Sequence, residues 1–179
     1  MGSVSKLNLP VEINIQDCFW GNLPHCNSGK QTGICPISAS TWETWFKEWL
    51  AHLSEYLPLS DGYEVTLRLT DDPEIQLLNY KYRGKNQPTD VLAFAALEAK
   101  IAPKPQELLV VEPLYLGDIV ISVETAFTQA KQQQNSLTRE LAWLTTHGLL
   151  HLLGWDHPDD ESLAEMLSWQ ENLLQIVGQ

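Results

Sequence analysis

Residues 136–157 read SLTRELAWLTTHGLLHLLGWDH, and the elements on either side are best understood from this stretch. Ser136 is placed to cap a helix and Gly154 to end it. Within that helix His147 and His151 stand one turn apart on one face, so two imidazole nitrogens can converge on one ion. A positive φ at Gly154 would turn the chain sharply and bring His157 to the same ion from outside the helix. Three neutral imidazoles suit Zn2+ and leave a fourth position for water, the arrangement of a catalytic site.

Two blander readings compete with this one. Chance gathering of core or surface histidines is disfavoured by the ligand spacing and by the glycine stop between the second and third. A structural zinc usually draws on cysteines and closes all four positions, whereas Asp156 alone lies near enough in sequence to be a fourth ligand. The spacing H-x3-H-x2-G-x2-H also matches the metzincin protease pattern except at one residue. Those enzymes carry glutamate after the first histidine as general base; here that position is Gly148, and no Met-turn follows. Peptide hydrolysis needs that base to activate water and protonate a poor leaving group. Phosphodiester chemistry leans more on metal polarisation and cationic stabilisation, so it stays open.

Working outward, VEINIQD (11–17) and YEVTLRLT (63–70) alternate as half-buried strands do. TDVLAFAAL (89–97) is apolar almost throughout, which predicts a strand buried on both faces, and LYLGDIVIS (114–122) is a fourth candidate. STWETWFKEWLAHLSEYL predicts a helix with Ser40 and Glu43 in capping-box spacing. Its apolar stripe runs through Trp42, Trp45, Phe46, Trp49, Leu50, Leu53 and Leu57, leaving His52 on the surface. DDPEIQLLNYKYRG predicts a second helix, with Asp72 as N-cap, Pro73 at the first helical position and a stop near Gly84. Helical patterning resumes near Glu124, and a last amphipathic helix follows Pro158. The expected fold is α/β (α+β): one domain over 1–179, a mixed sheet of about four strands packed with helices, and a zincin-like metal helix. CFWGNLPHCNSGKQTGICPIS breaks all periodicity and predicts a loop insertion at about 18–38.

Composition narrows the function classes. With 44% apolar and 19% charged residues, the chain can bury a single sizeable core. No apolar run approaches the roughly 18 residues of a membrane span, and MGSVSKLNLP lacks the blocks of a signal peptide, so a cytoplasmic protein is expected. The cysteines Cys18, Cys26 and Cys35 are odd in number and irregularly spaced, which favours free thiols over a disulfide framework. A second zinc site built from them with His25 is disfavoured because no C-x-x-C pair is present. A net charge of −12 weighs against a freestanding high-affinity RNA binder, though not against a nuclease whose basic patch is local or whose substrate a partner delivers.

A phosphodiester substrate would need a cation near the metal. Lys81, Arg83 and Lys85 form the densest basic cluster, between the second helix and the apolar strand. Arginine would grip phosphate bidentately and keep its charge. Cations also favour helix C-termini simply as solvated ends, and composition does not separate the two readings.

HGLLHLLGWDH, LNYKYRGKNQPTDVLAF and LGDIVIS together resemble three motifs, in order, of the YbeY family of single-domain bacterial endoribonucleases, also described as rRNA maturation factors. The first fits H-G-x-L-H-L-x-G-x-D-H at every fixed position; the second carries Ala93 where serine is usual. The resemblance spans roughly Glu12 to Ile176. It implies a zinc-type metal on His147, His151 and His157, and Arg83 as the basic residue of the cleft. Those four form the expected catalytic set. It also implies cleavage of single-stranded RNA, maturation of the small-subunit rRNA 3′ end and ribosome quality control. The small ribosomal subunit and its assembly proteins are the implied partners, with neither DNA nor membrane. Asp156 could orient a ligand histidine or cap the last helix. The segment from Cys18 to Ile37 is longer than the family pattern and lies outside what the resemblance covers. A non-catalytic ribosome-assembly adaptor with a structural zinc is the main rival, favoured by the acidic charge; a metalloprotease is a distant third.

Overall fold

The computed structural model describes residues 10–21, 33–96 and 113–179. The alternating segments become β1 (Val11–Asp17) and β2 (Tyr63–Thr70), and they pair in parallel. Parallel neighbours need a crossover, which α1 (Ala39–His52) supplies. After β2 come α2 (Asp72–Arg83), β3 (Val91–Ala95), β4 (Leu114–Ser122), α3 (Val123–Gln133), α4 (Leu137–Leu152) and α5 (Asp160–Ile176). The sheet order is β1-β2-β4-β3, with β4 parallel to β2 and antiparallel to β3. The expected four-stranded mixed sheet packed with helices is what forms. No helix among the described residues is long and apolar enough to cross a membrane.

Period-two burial decides which helices cover which face. Tyr63, Val65, Leu67 and Leu69 of β2 join the main core with Trp42, Phe46 and Trp49 of α1 and with α4 and α5. Burying side chains of that size contributes about 1.5–3 kcal/mol each. Trp49 also donates its indole N–H to the Leu173 carbonyl at 2.9 Å, tying α1 to α5. On the opposite face α2 forms a smaller cluster in which Ile75 meets Leu92 and Val120.

Several expectations need correcting. Of the apolar segment at 89–97, whose last residue lies outside the described residues, Val91–Ala95 form a strand that is at the sheet edge among the described residues and only partly buried at four of its five positions. Its composition reflects packing of Val91, Ala93 and Ala95 on the main core and of Leu92 and Phe94 on the α2 side. Ser38, not Ser40, caps α1: its backbone is extended and its side chain accepts from the Thr41 N–H. Likewise Asp71, not Asp72, caps α2, because the Asp72 carboxylate turns to accept from the hydroxyls of Ser122 and Thr125. The loop expected over 18–38 falls partly on residues 22–32, outside the described residues. Its described ends are anchored, with Phe19 and Ile37 in the main core. Cys18 is disulfide-bonded rather than a free thiol, an odd count leaving room for one pair, while Cys35 is free.

Gly117 in β4 has φ 138°, where a Cβ would lie 2.1 Å from the Phe94 carbonyl oxygen. It sits where the β2–β4 register shifts, so the strand can bulge there without a side-chain collision.

Candidate metal centre and its cleft

α4 is buried on almost every side, and Leu141, Ala142, Leu144, Thr145, Thr146, Gly148, Leu149, Leu150 and Leu152 are all enclosed. A helix apolar nearly all round belongs to the interior. His147 and His151 interrupt that burial on one face, where α4 borders a cleft of about 690 Å³. The main chain leaves the helix through Gly154, whose φ is 94°, and His157 returns to the same wall. One ligand-type atom from each of the three histidines lies within 4.8 Å of the others.

The ring spacing is compatible with a cation between them. Nε2 of His147 and Nε2 of His151 are 3.1 Å apart, close to the ~3.4 Å that two nitrogens take around a tetrahedral zinc with bonds of ~2.0–2.1 Å. His147 Nδ1 faces the Gln170 Oε1 acceptor at 3.2 Å, which places the ring proton on Nδ1 and leaves Nε2 with a lone pair. The Gln170 amide is itself oriented by donating to the Trp143 carbonyl at 3.3 Å. Burial lowers the pKa of His147, and burial together with the neighbouring His147 lowers that of His151. Both shifts favour the neutral, ligating form.

Gln170 is a candidate site residue that no local motif marks. It is fully buried on α5 beside Met166, Leu173 and Leu174, so it is a polar side chain on an apolar helical stripe. That misfit was a usable signal. Gln170→Leu keeps the volume but removes the acceptor. It should weaken metal binding about 10–100-fold, the usual loss when a ligand's supporting hydrogen bond goes. Titration against a competing chelator would show it, and unchanged affinity would remove the role.

Gly148 has a packing reason to be glycine. A Cβ there would sit 2.8 Å from Cγ2 of Ile119, because α4 lies directly on β4 at that point. The position that would hold a protease glutamate is therefore occupied by the helix–sheet contact. Asp156 does not cap the last helix. Its carboxylate accepts from the His157 backbone N–H at 2.8 Å and so steadies the main chain beside the ring, while Asp159 caps α5 in a capping box with Ser162.

The C-terminus of α2 also lines this cleft. Arg83 is the last helical residue, with Gly84 closing the helix at φ 69°. It is exposed, and it is the one lysine or arginine among the described residues that line the cleft. Lys81 instead lies 5.0 Å from the Tyr82 ring centroid. Lys81 and Lys85 are exposed. β3 lines the same cleft along Val91–Ala95. Asp90, at its start, spends its carboxylate on the Val91 N–H, the Thr89 hydroxyl and the Gln129 amide. The structure therefore brings all four expected site residues to one cleft.

A family model described as Endoribonuclease YbeY matches residues 27–178. The chain belongs to that family. An Endoribonuclease YbeY of Trichormus variabilis is 56% identical over 168 residues, covering 94% of each chain. One from Synechocystis is 45% identical over 179 residues, covering 100% of this chain and 97% of the other. A solution structure from Thermotoga maritima matches with TM-score 0.52 at 24% identity, covering 92% of this chain and 88% of that one, which shows a shared fold. Membership in the YbeY family makes the chain an enzyme of the nuclease class.

Proposed function

We propose that the chain is a zinc-dependent, single-strand-specific endoribonuclease in which His147, His151 and His157 hold the metal and Arg83 binds the scissile phosphate. The observation that carries this reading is the shared cleft, lined both by three convergent imidazoles and by the Arg83 guanidinium, which has no salt-bridge partner among the described residues. A zinc ion held there supplies a Lewis acid and a water whose pKa falls toward neutrality. Gln170 fixes the His147 tautomer so that Nε2 faces the ion. Arg83 offers a bidentate fork to the phosphate and balances charge that develops on its oxygens. β3 and Trp155 bound the space in which the strand lies.

The substrate in the cell is ribosomal RNA, at the 3′ end of the small-subunit RNA, and the role extends to ribosome quality control in the cytoplasm. At net charge −12 the protein is suited to docking on basic ribosomal proteins that present the RNA, rather than to capturing RNA alone. One hydrolase domain spans 1–179.

The deciding experiment is removal and return of the metal. Chelated protein should stop cutting a single-stranded oligoribonucleotide, keep its far-ultraviolet circular dichroism and recover on adding zinc. Cutting that persists without metal would overturn the assignment. Unfolding on chelation would instead favour the adaptor with a structural zinc.

A further inference from the structure

The sheet face turned away from the main core carries a second cleft, which the metal chemistry does not use. α2 covers only part of that face, and beside it opens a space of about 440 Å³, within the range of small-molecule sites. Its apolar wall is Leu78, Tyr82, Phe94 and Val120. Tyr82 and Phe94, packed edge to face at 5.0 Å, also line the metal cleft, so the two spaces meet at this pair.

Its polar wall is held in place. Arg68 donates to Glu74 at 3.0 and 2.6 Å and to Gln16 Oε1 at 2.8 Å, and Thr70 donates to the other Glu74 oxygen. Asp118 follows the Gly117 bulge and accepts the Tyr115 hydroxyl on Oδ1 at 2.6 Å. Burial pushes the Tyr115 phenol up to about 12, so it stays a donor. Among the described residues no donor meets Asp118 Oδ2, and the Gln16 amide nitrogen finds no acceptor. One cation beside two carboxylates leaves no surplus positive charge for a phosphate. An aromatic wall facing a spare carboxylate oxygen and a spare amide suits a nucleobase.

We propose that this second cleft binds a guanine of the RNA strand next to the cleaved bond. This rests on the endoribonuclease reading above. Guanine carries adjacent N1–H and N2–H donors for the Asp118 carboxylate, while its carbonyl oxygen can accept from Gln16. The base packs against Tyr82 and Phe94. Only an unpaired base can offer that edge, so the cleft also supplies a reason for cutting single strands.

The test uses zinc-loaded protein and oligouridylates carrying one guanine, or one inosine lacking the 2-amino group, at successive positions near the cut. Guanine at one position should raise kcat/KM over inosine by roughly five- to a hundredfold, and Asp118→Asn should bring that ratio to about one. Equal rates for guanine and inosine with the unaltered protein would overturn the proposal without reference to any variant, as would a folded Asp118→Asn protein that keeps the preference. Fluorescence anisotropy with 2′-O-methyl versions separates the two readings. Cutting without base preference in rate or affinity refutes the guanine cleft alone. Guanine-dependent binding without any cutting supports the cleft and refutes the nuclease.

Discussion

His147→Ala protein should fold, lose its metal and cut single-stranded RNA no faster than chelated protein. The fold should survive loss of the metal, because α4 gives Leu141, Ala142, Leu144, Leu149, Leu150 and Leu152 to the main core while the histidines border the cleft. A metal held there would, by contrast, depend on His147. That ring offers one of the three candidate ligand atoms and is the one whose Nδ1 meets Gln170. Losing a supporting hydrogen bond already weakens metal sites by about 10–100-fold, so losing a ligand should exceed that. Elemental analysis, circular dichroism and a cleavage time course on one preparation would show all three effects. His52→Ala is the control: His52 is exposed at the end of α1, its ring 6.1 Å from that of Trp169 and away from the cleft. It should keep both metal and rate. A metal-free His147→Ala protein that still cuts at the parent rate would end the metal-dependent reading.

What was legible in the sequence was mostly what is local. His147, His151 and His157 lie within one helix and its exit, so their convergence follows from helical geometry and one glycine. The four strands were visible by alternation or apolar run, but their order was not. That β3 lies at an edge depends on β4 inserting between it and β2, a pairing between segments far apart in the chain. The same non-local order brings Arg83 to the cleft of the histidines, so composition alone leaves that residue between phosphate ligand and solvated helix end. Only the resemblance favoured the ligand. The cap errors at Ser40 and Asp72 arose where two suitable residues lie close together and tertiary contacts chose between them. Gly148 stands where a protease carries its base, and its contact with Ile119 gives a second reason for glycine that no local pattern contains.

Arg83→Glu should abolish cleavage while leaving bound metal and the fold intact. Arg83 is exposed, and no other lysine or arginine among the described residues lines the cleft to replace it. Removing a single group that stabilises transition-state charge costs about 10²–10³ in kcat. Charge reversal goes further, because a carboxylate facing the phosphate also repels the substrate. The rate should therefore fall by at least about 10³, with KM rising as well. Stability should change little: a cation at a helix C-terminus contributes only about 0.3–1 kcal/mol. Metal content should hold because Arg83 stands on α2, while the candidate ligands come from α4 and the turn beyond it. Arg83→Lys separates charge from shape. A lysine keeps the charge but not the two-pronged fork, so activity should recover only in part. If Arg83→Glu retained full activity, the cation would have to come from a partner or from the RNA's own metal ions. The cleft would then be a metal site without its own phosphate clamp. Loss of metal together with activity would mean instead that α2 props up the histidine wall, a supporting role that the partial rescue by lysine would not follow.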